Sequence, residues 1–426
     1  MNYSPPAPKV DVVDLSKSRV MLLLLVAMTG VAPISLYMLV PALPELTKVF
    51  DRDISVAQMT VSLYMVGLAF SQIIMGSLSD RFGRRPVLLA GLGLMVVASV
   101  ASVFADSLPL LIVARFFQAL GGASGMVIAR AIIRDLYPRE RVGAMISLVI
   151  AVMMIAQMLS PLTGGLIEIS FGWHVILYVI TGMAIAVAVL IAVALPETWR
   201  ASPHPARGRF MRDVRTLSAS RAFLGYMLCM VLASQIIFTF AGGAPYVVVL
   251  QEGRTSAEYG AWFACTGVAY MLGNVFCVRF APRHSLERLI WFGLALQLGG
   301  AALNLLWGVT GFNQIPAWLF VTQMLVMFGN AFVMSNSAAG ALSVRPEAAG
   351  TASGMMGFLQ MGLGSLSSQF GAWLGGSFAT PTALNAAVLL LSLACASTML
   401  FLVPRRGLVA TEAMIEKAEE EDTGIL

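Results

Sequence analysis

Residues 56–105 read VAQMTVSLYMVGLAFSQIIMGSLSDRFGRRPVLLAGLGLMVVASVASVFA. Two apolar runs, 56–78 and 87–105, flank a short polar stretch in which Asp80 is surrounded by Arg81, Arg84 and Arg85. At 1.5 Å per helical residue, about 20 apolar residues cross the ~30 Å hydrocarbon layer of a bilayer. Each run is long enough to do so, and three clustered guanidinium groups belong in water. Such a pattern describes two membrane helices joined by a basic turn on one side of the membrane.

The pattern continues in both directions. Twelve apolar stretches are predicted to span, at about 20–40, 56–78, 87–105, 108–133, 142–167, 173–195, 223–250, 259–278, 289–309, 317–342, 351–378 and 382–403. Of the 426 residues, 58% are hydrophobic and 12% charged, about half the charged share of a soluble domain. Mean hydropathy is +0.83. Too little polar surface exists to coat soluble domains, which excludes a soluble enzyme, a nucleic-acid module and a disordered chain. The first span is too long for a cleaved signal peptide and lacks a small-residue cleavage site. The four cysteines, Cys229, Cys265, Cys277 and Cys395, all fall inside apolar stretches and are expected to be packing residues.

Charge predicts the orientation. With the N-terminus inside, 23 of the 27 Lys and Arg lie on the inner side, Lys48, Arg52 and Arg254 lie outside, and Arg115 lies within a span. Under the positive-inside rule this places both termini in the cytoplasm of a plasma (inner) membrane protein. The chain also reads as doubled. Its longest polar interruption, 202–221, separates two sets of six spans, and Arg81-Phe82 with Arg85 recurs 198 residues later as Arg279-Phe280 with Arg283. The expected organisation is an N-terminal tail 1–19, a six-helix bundle 20–195, a linker 196–222, a second six-helix bundle 223–403 and a tail 404–426. The segment 411–422, with five glutamates and an aspartate, is expected to be solvated. Parallel six-span repeats with a site at their interface are a signature of secondary transporters.

The residues around these spans resemble a known family. Gly76-x3-Asp80-Arg81-x-Gly83-Arg84-Arg85 is similar to the signature between helices two and three of the major facilitator superfamily. Arg115-x-x-Gln118 followed by Gly121-Gly122-Ala123 resembles its helix-four signature. Ser160-Pro161-Leu-Thr-Gly164-Gly165 resembles the helix-five signature of exporters, with Ala156 and Ser160 in place of its usual first two glycines. Leu195-Pro196-Glu197-Thr198 is similar to the usual exit from helix six, and Ala349-Gly350-Thr351-Ala352-Ser353-Gly354 to the start of helix eleven in the Bcr/CflA group of drug:proton antiporters. The resemblance covers nearly the whole chain. It implies an all-α fold of 12 transmembrane helices in two pseudo-symmetric halves, and a switch of Asp80, Arg84 and Asp135 latching the halves on the inner side. Asp80 is then expected against the start of helix eleven, where a helix N-terminus favours a carboxylate by about 0.3–1 kcal/mol, or up to about 2 when partly buried. Pro161, Gly164 and Gly165 are expected to break the fifth helix.

Arg115 is the most informative single residue. Seven residues into the fourth span it lies about 10 Å deep, where a charge costs roughly 2.5–3.5 kcal/mol and usually faces a polar cavity. The bland alternative is a side chain that snorkels outward. Gln118, Tyr64, Gln235, Tyr270, Asn330 and Gln360 fall near mid-membrane depth and are expected to line the same substrate site, although interhelical hydrogen bonds would equally account for each. Many Bcr/CflA members carry an acid in helix one before a Met-x-x-Pro stretch; here that position is Tyr37, before Met38 and Pro41. No Asp or Glu lies in the core of any span. A site with Arg115 and no carboxylate is not built to attract lipophilic cations. A proton route would run through Asp80, Asp135 or Glu168, or through the substrate itself.

The resulting expectation is a transporter and not an enzyme: a monomeric exporter of small amphipathic compounds by alternating access. It is expected to be driven by the proton gradient without a cofactor, its partners being the substrate and the bilayer, with no nucleic acid. An importer or uniporter of a small metabolite is the alternative on the same fold. A membrane-embedded enzyme would need convergent catalytic side chains, and His174, His204 and His284 show no metal spacing.

Overall fold

The computed structural model describes residues 19–137, 139–198, 209–310, 316–378 and 380–403. Every extended element among them is helical. In chain order these are α1 (Arg19–Leu39), continued by a tight turn (Val40–Ala42) and α2 (Leu43–Val49); then α3 (Ile54–Phe82), α4 (Arg84–Val103), α5 (Leu108–Leu136), α6 (Arg139–Phe171), α7 (Trp173–Ala194) and the linker helix α8 (Arg209–Ser218). The second set is α9 (Arg221–Tyr246) with a π-helical turn (Val247–Gln251), α10 (Ser256–Phe280), α11 (Leu286–Thr310), α12 (Pro316–Val344), α13 (Ala349–Ser377) and α14 (Thr382–Phe401). The two tails and residues 199–208 of the linker, including the acidic stretch 411–422, lie outside the described residues.

Twelve of these helices have 20 residues or more, matching the twelve predicted spans to within a few residues. Eleven are long and apolar enough on composition alone to cross a membrane. The exception, α13, has 29 residues, about 43 Å of helix, but carries eight glycines and five serines. Small residues lower its hydropathy while allowing the close helix contacts that hold membrane bundles together.

The chain forms two compact units, Met1–Ala42 with Met59–Pro203, and Leu43–Gln58 with His204–Leu426. The second unit therefore takes a segment that the apolar pattern places in the first bundle. Polar contacts hold it there: Gln58 Nε2 donates to Ser368 Oγ (2.8 Å), Tyr246 donates to Gln58 Oε1 (3.4 Å), and Gln369 Nε2 donates to the Ser55 carbonyl (2.7 Å). Side-chain bonds across 188 to 314 residues leave no trace in hydropathy.

Inside each unit the helices cross in the same manner. In the first, Gly91 of α4 and Gly121 of α5 meet so closely that a Cβ on either would lie 2.3–3.0 Å from the other's carbonyl oxygen. In the second, Gly293 of α11 and Gly329 of α12 meet likewise, at 2.6 and 2.5 Å. Gly164 of α6 lies under the Met38 carbonyl of α1, and Gly371 of α13 under the Thr239 carbonyl of α9, each at 2.0 Å from where a Cβ would sit. The duplication read from the arginine pattern thus recurs in the backbone contacts.

Gly164 corrects one expectation. Helix α6 is not broken at Pro161, Gly164 and Gly165 but runs continuously through them. Proline removes one backbone donor, and membrane helices tolerate this when hydroxyls and neighbouring helices serve the freed groups. Here the loss is confined to one bond, the one that residue 161 would have given the Gln157 carbonyl, and the 33-residue helix carries on through it. The glycine serves close approach to α1.

Candidate functional site

Helix α5 opens after Ser107 with Pro109 in its first turn, a position where the missing N–H costs nothing. Two turns further in, the Arg115 side chain is fully buried, with 0% exposure. Its Nη1 donates to Ser35 Oγ (2.9 Å) and Gln118 Oε1 (2.5 Å), and its Nη2 to the Ser35 carbonyl (3.0 Å). The guanidinium carbon lies 4.2 Å from the centre of the Tyr64 ring. The partners are fixed in turn: Gln118 Nε2 donates to Ser99 Oγ (2.6 Å), Ser99 Oγ to the Met95 carbonyl (2.7 Å), and Tyr64 to the Ala32 carbonyl (2.9 Å). One cation thereby ties together α1, α3, α4 and α5.

This arrangement departs from both sequence expectations for Arg115. The side chain neither snorkels outward nor stands in water, because neutral dipoles and an aromatic face replace its hydration. They do not neutralise it. Its Nε has no hydrogen-bond partner, and no carboxylate is paired with it among the described residues. A ring quadrupole offsets about 2 kcal/mol or more when desolvated, well short of what a counter-ion supplies in a low dielectric. Ser35 and Ser99, which complete the cluster, are not among the predicted site residues. Short hydroxyl side chains inside apolar runs carry no distinguishing pattern.

Of the remaining predicted lining residues, Tyr37 belongs to the first unit and Gln235, Tyr270, Asn330 and Gln360 to the second. Tyr37 is buried on α1, at 7% exposure. In the second unit, Asn330 Nδ2 donates to the Ala233 carbonyl of α9 (3.0 Å), beside Gln235, whose Nε2 donates to the Val231 carbonyl (2.7 Å) and Ser234 Oγ (3.0 Å). Tyr270 reaches Met334 Sδ at 3.7 Å. Gln360 is half-buried on α13. Four further amides there, Gln297, Asn304, Gln323 and Asn385, are fully buried. Both polar ends of Gln297, Asn304 and Gln323 lack a hydrogen-bond partner.

At the arginine-rich turn the first unit gathers a second cluster. The Arg84 side chain is 6% exposed and bridges Asp80, through Nη1, and Asp135, through Nε at 3.1 Å. Ser79 Oγ accepts a further bond from Nη1 (2.9 Å). Arg81 lies over the Phe82 ring, and Arg85 Nη2 donates to the Ala192 carbonyl (2.7 Å). Glu197, just beyond α7, accepts the backbone N–H groups of both Arg84 and Arg85 (3.1 Å each). A carboxylate thus caps the N-terminus of α4, where the helix dipole favours it. Gly83 is obligatory for two reasons: its φ is +98°, and a Cβ there would lie 2.9 Å from Glu197 Oε2. Gly76 has no such constraint, since a Cβ would meet only Val127 at 3.7 Å. Just past α5, burial pushes the Tyr137 phenol above its ordinary range. The cysteines are all free; Cys229, Cys277 and Cys395 are buried and Cys265 is exposed.

Residues 25–368 match the model of the Major Facilitator Superfamily. The chain is 30% identical over 352 residues to Multidrug resistance protein D of Escherichia coli strain K12, covering 82% of this chain and 87% of that protein. It is 27% identical to a bicyclomycin resistance protein homolog of Haemophilus influenzae, covering 78% and 84%. In fold it is similar to the xylose transporter XylE from E. coli in a partially occluded inward-open conformation, with a TM-score of 0.70 at 16% identity over 90% of this chain and 98% of that one. The chain is a multi-pass membrane protein, a transporter and not an enzyme, and it belongs to the Major Facilitator Superfamily.

Proposed function

We propose that the protein exports small amphipathic compounds, drugs or metabolites, across the inner membrane by alternating access, as a monomer driven by proton antiport, with both termini in the cytoplasm. The names of its multidrug-resistance and bicyclomycin-resistance relatives support export. The observation that carries the chemistry is the buried Arg115 cation held by neutral groups alone. A charge left without its anion has a standing preference for an electronegative group, so neutral or anionic amphipaths suit it better than lipophilic cations. Any displacement of α1 or α3 that moves Ser35 or Tyr64 changes the stabilisation of this charge by kilocalories, which links Arg115 to conformation. Tyr37, Gln118 and Tyr64 of the first unit, and Gln235, Tyr270, Asn330 and Gln360 of the second, are each proposed to contact substrate. The Asp80–Arg84–Asp135 cluster is proposed as the inner latch.

The test is transport in proteoliposomes with an imposed proton gradient, acidic on the side that corresponds to the outside of the cell. Efflux of a dye or of chloramphenicol that collapses with a protonophore supports antiport. Uptake that follows protons inward identifies an importer, and flux indifferent to the gradient a uniporter.

A further inference from the structure

The outer end of the second unit holds a carboxyl group that the export mechanism does not use. Helix α9 finishes in the π-helical turn Val247–Gln251, a form that recurs at functional sites because it widens the helix and disturbs its bonding. Gln251 Nε2 fastens this turn to the end of α13, donating to the carbonyls of Gly375 (2.6 Å) and Phe378 (2.7 Å). The chain then reverses: the Glu252 N–H bonds the Val247 carbonyl and the Arg254 N–H the Val248 carbonyl, both at 3.0 Å, with Gly253 at φ +64° between them. Glu252 is left with both carboxyl oxygens buried and without a donor, and Gln251 Oε1 is in the same condition. Two buried carboxyl oxygens with no donor are a poor home for a carboxylate, and the neutral carboxylic acid is the less costly form there.

We propose that Glu252 is a proton-binding site of the outer end of α9: protonated, it lies packed against the π turn, and ionised, it draws that turn out toward water. This deepens the proton-antiport reading and relies on its orientation. Burial raises the Glu252 carboxyl to about 7, helped by Glu258 and opposed by Arg254. The elements packed on the π turn are α9, α10 and α13. Glu258 is the charged group of α10 at this end, and α13 carries no acid, base or histidine. Lys48, Asp51, Arg52 and Asp53 line the surface pocket that also includes Leu250. The sign follows from the upward direction: the packed end is favoured most below the ordinary carboxyl value of 4.5, and that advantage is lost as pH rises from there to about 7.

The experiment is amide hydrogen exchange of the full-length protein in nanodiscs, following residues 246–256 from about pH 5.5 to about pH 8.5 after correction for intrinsic rates. Wild type is expected to lose protection as pH rises and to level off above about 7, and Glu252→Gln to stay protected across the range. Two variants keep Glu252 itself intact: Glu258→Gln should move the levelling pH down and Arg254→Gln should move it up. A flat wild-type profile overturns the proposal, as does an unchanged profile in Glu252→Gln. Protection that follows sodium or potassium concentration instead of pH overturns it in favour of a cation site. In proteoliposomes, Glu252→Gln should flatten the pH dependence of efflux. Absence of gradient-driven flux in wild type would remove the antiport reading while the exchange titration still decides on Glu252.

Discussion

Helices α5 and α12 occupy equivalent places in their two units. Each crosses its predecessor at a glycine pair, Gly91–Gly121 in one unit and Gly293–Gly329 in the other. Six residues before that glycine each carries a long, fully buried polar side chain, Arg115 in α5 and Gln323 in α12. Their surroundings differ. Arg115 is held by Ser35 and Gln118 and lies beside Tyr64, whereas neither end of the Gln323 amide has a hydrogen-bond partner. Backbone crossings recur in both units, while the chemistry placed on them has diverged. A charge that four helices converge to hold is committed to a task; an unpartnered neutral amide costs about 1–3 kcal/mol and leaves its unit adaptable.

The largest expected effect tests that asymmetry directly. Arg115→Met should reduce transport by about a hundredfold or more, equivalent to ~2.7 kcal/mol, with thermal stability unchanged or higher because an uncompensated buried charge has been removed. Gln323→Met should leave flux within about twofold of wild type. Equal losses in proteoliposome efflux for the two variants would break the comparison.

The next effect lies at the other charged cluster of the first unit. Arg84→Ala or Asp135→Asn leaves a partner of a largely buried ion pair behind, at a cost of about 3–5 kcal/mol when burial is complete. Asp80, whose side chain is 64% exposed, should cost no more than about 1 kcal/mol as Asn, yet Asp80→Asn should cut transport and shift the protein toward inward-open. Thermal unfolding separates the stability ranking, and cysteine accessibility reads the conformational shift. Unchanged transport and accessibility in Asp80→Asn would leave the arginine-rich turn with only a topological role.

A smaller effect concerns cargo. Chloramphenicol should be moved about tenfold faster than tetraphenylphosphonium, a difference of ~1.4 kcal/mol, and that preference should vanish in Arg115→Gln. Equal rates for the two probes in wild type would uncouple Arg115 from selectivity. The smallest effect is a gain: Gln323→Leu should raise thermal stability by about 1 kcal/mol, since it removes two unmade hydrogen-bonding groups from the interior. A loss of that size would mean that the amide is served in the membrane by partners such as water.

Helix count, order and duplication are legible in the amino-acid sequence, because hydropathy and arginine placement report on the solvent around each segment. Arg115, Asp80, Arg84 and Asp135 stand out there because charge near lipid is expensive enough to be conspicuous. Ser35 and Ser99 do not, and Glu197 stands out only as part of a motif and not as a cap for α4, since their roles come from which helix lies opposite, a fact that period and composition do not encode. The continuity of α6 through Pro161 is hidden for the same reason. Gly164 lies against the Met38 carbonyl of α1, a close approach that residue type alone does not reveal, whereas the expected break follows from residue type. Leu43–Gln58 joins the second unit through Gln58, Ser55 and their distant partners, where an apolar plot shows only a loop.

Glu197 gives the arginine turn an unexpected dependant. Because its carboxylate holds the first two amides of α4, the turn after the second span is built partly from a residue more than a hundred positions downstream. In an unbiased selection for lost resistance, substitutions at Glu197 and at Gly83 should therefore fall into one phenotypic class. A second-site change at either should rescue only alleles of the other.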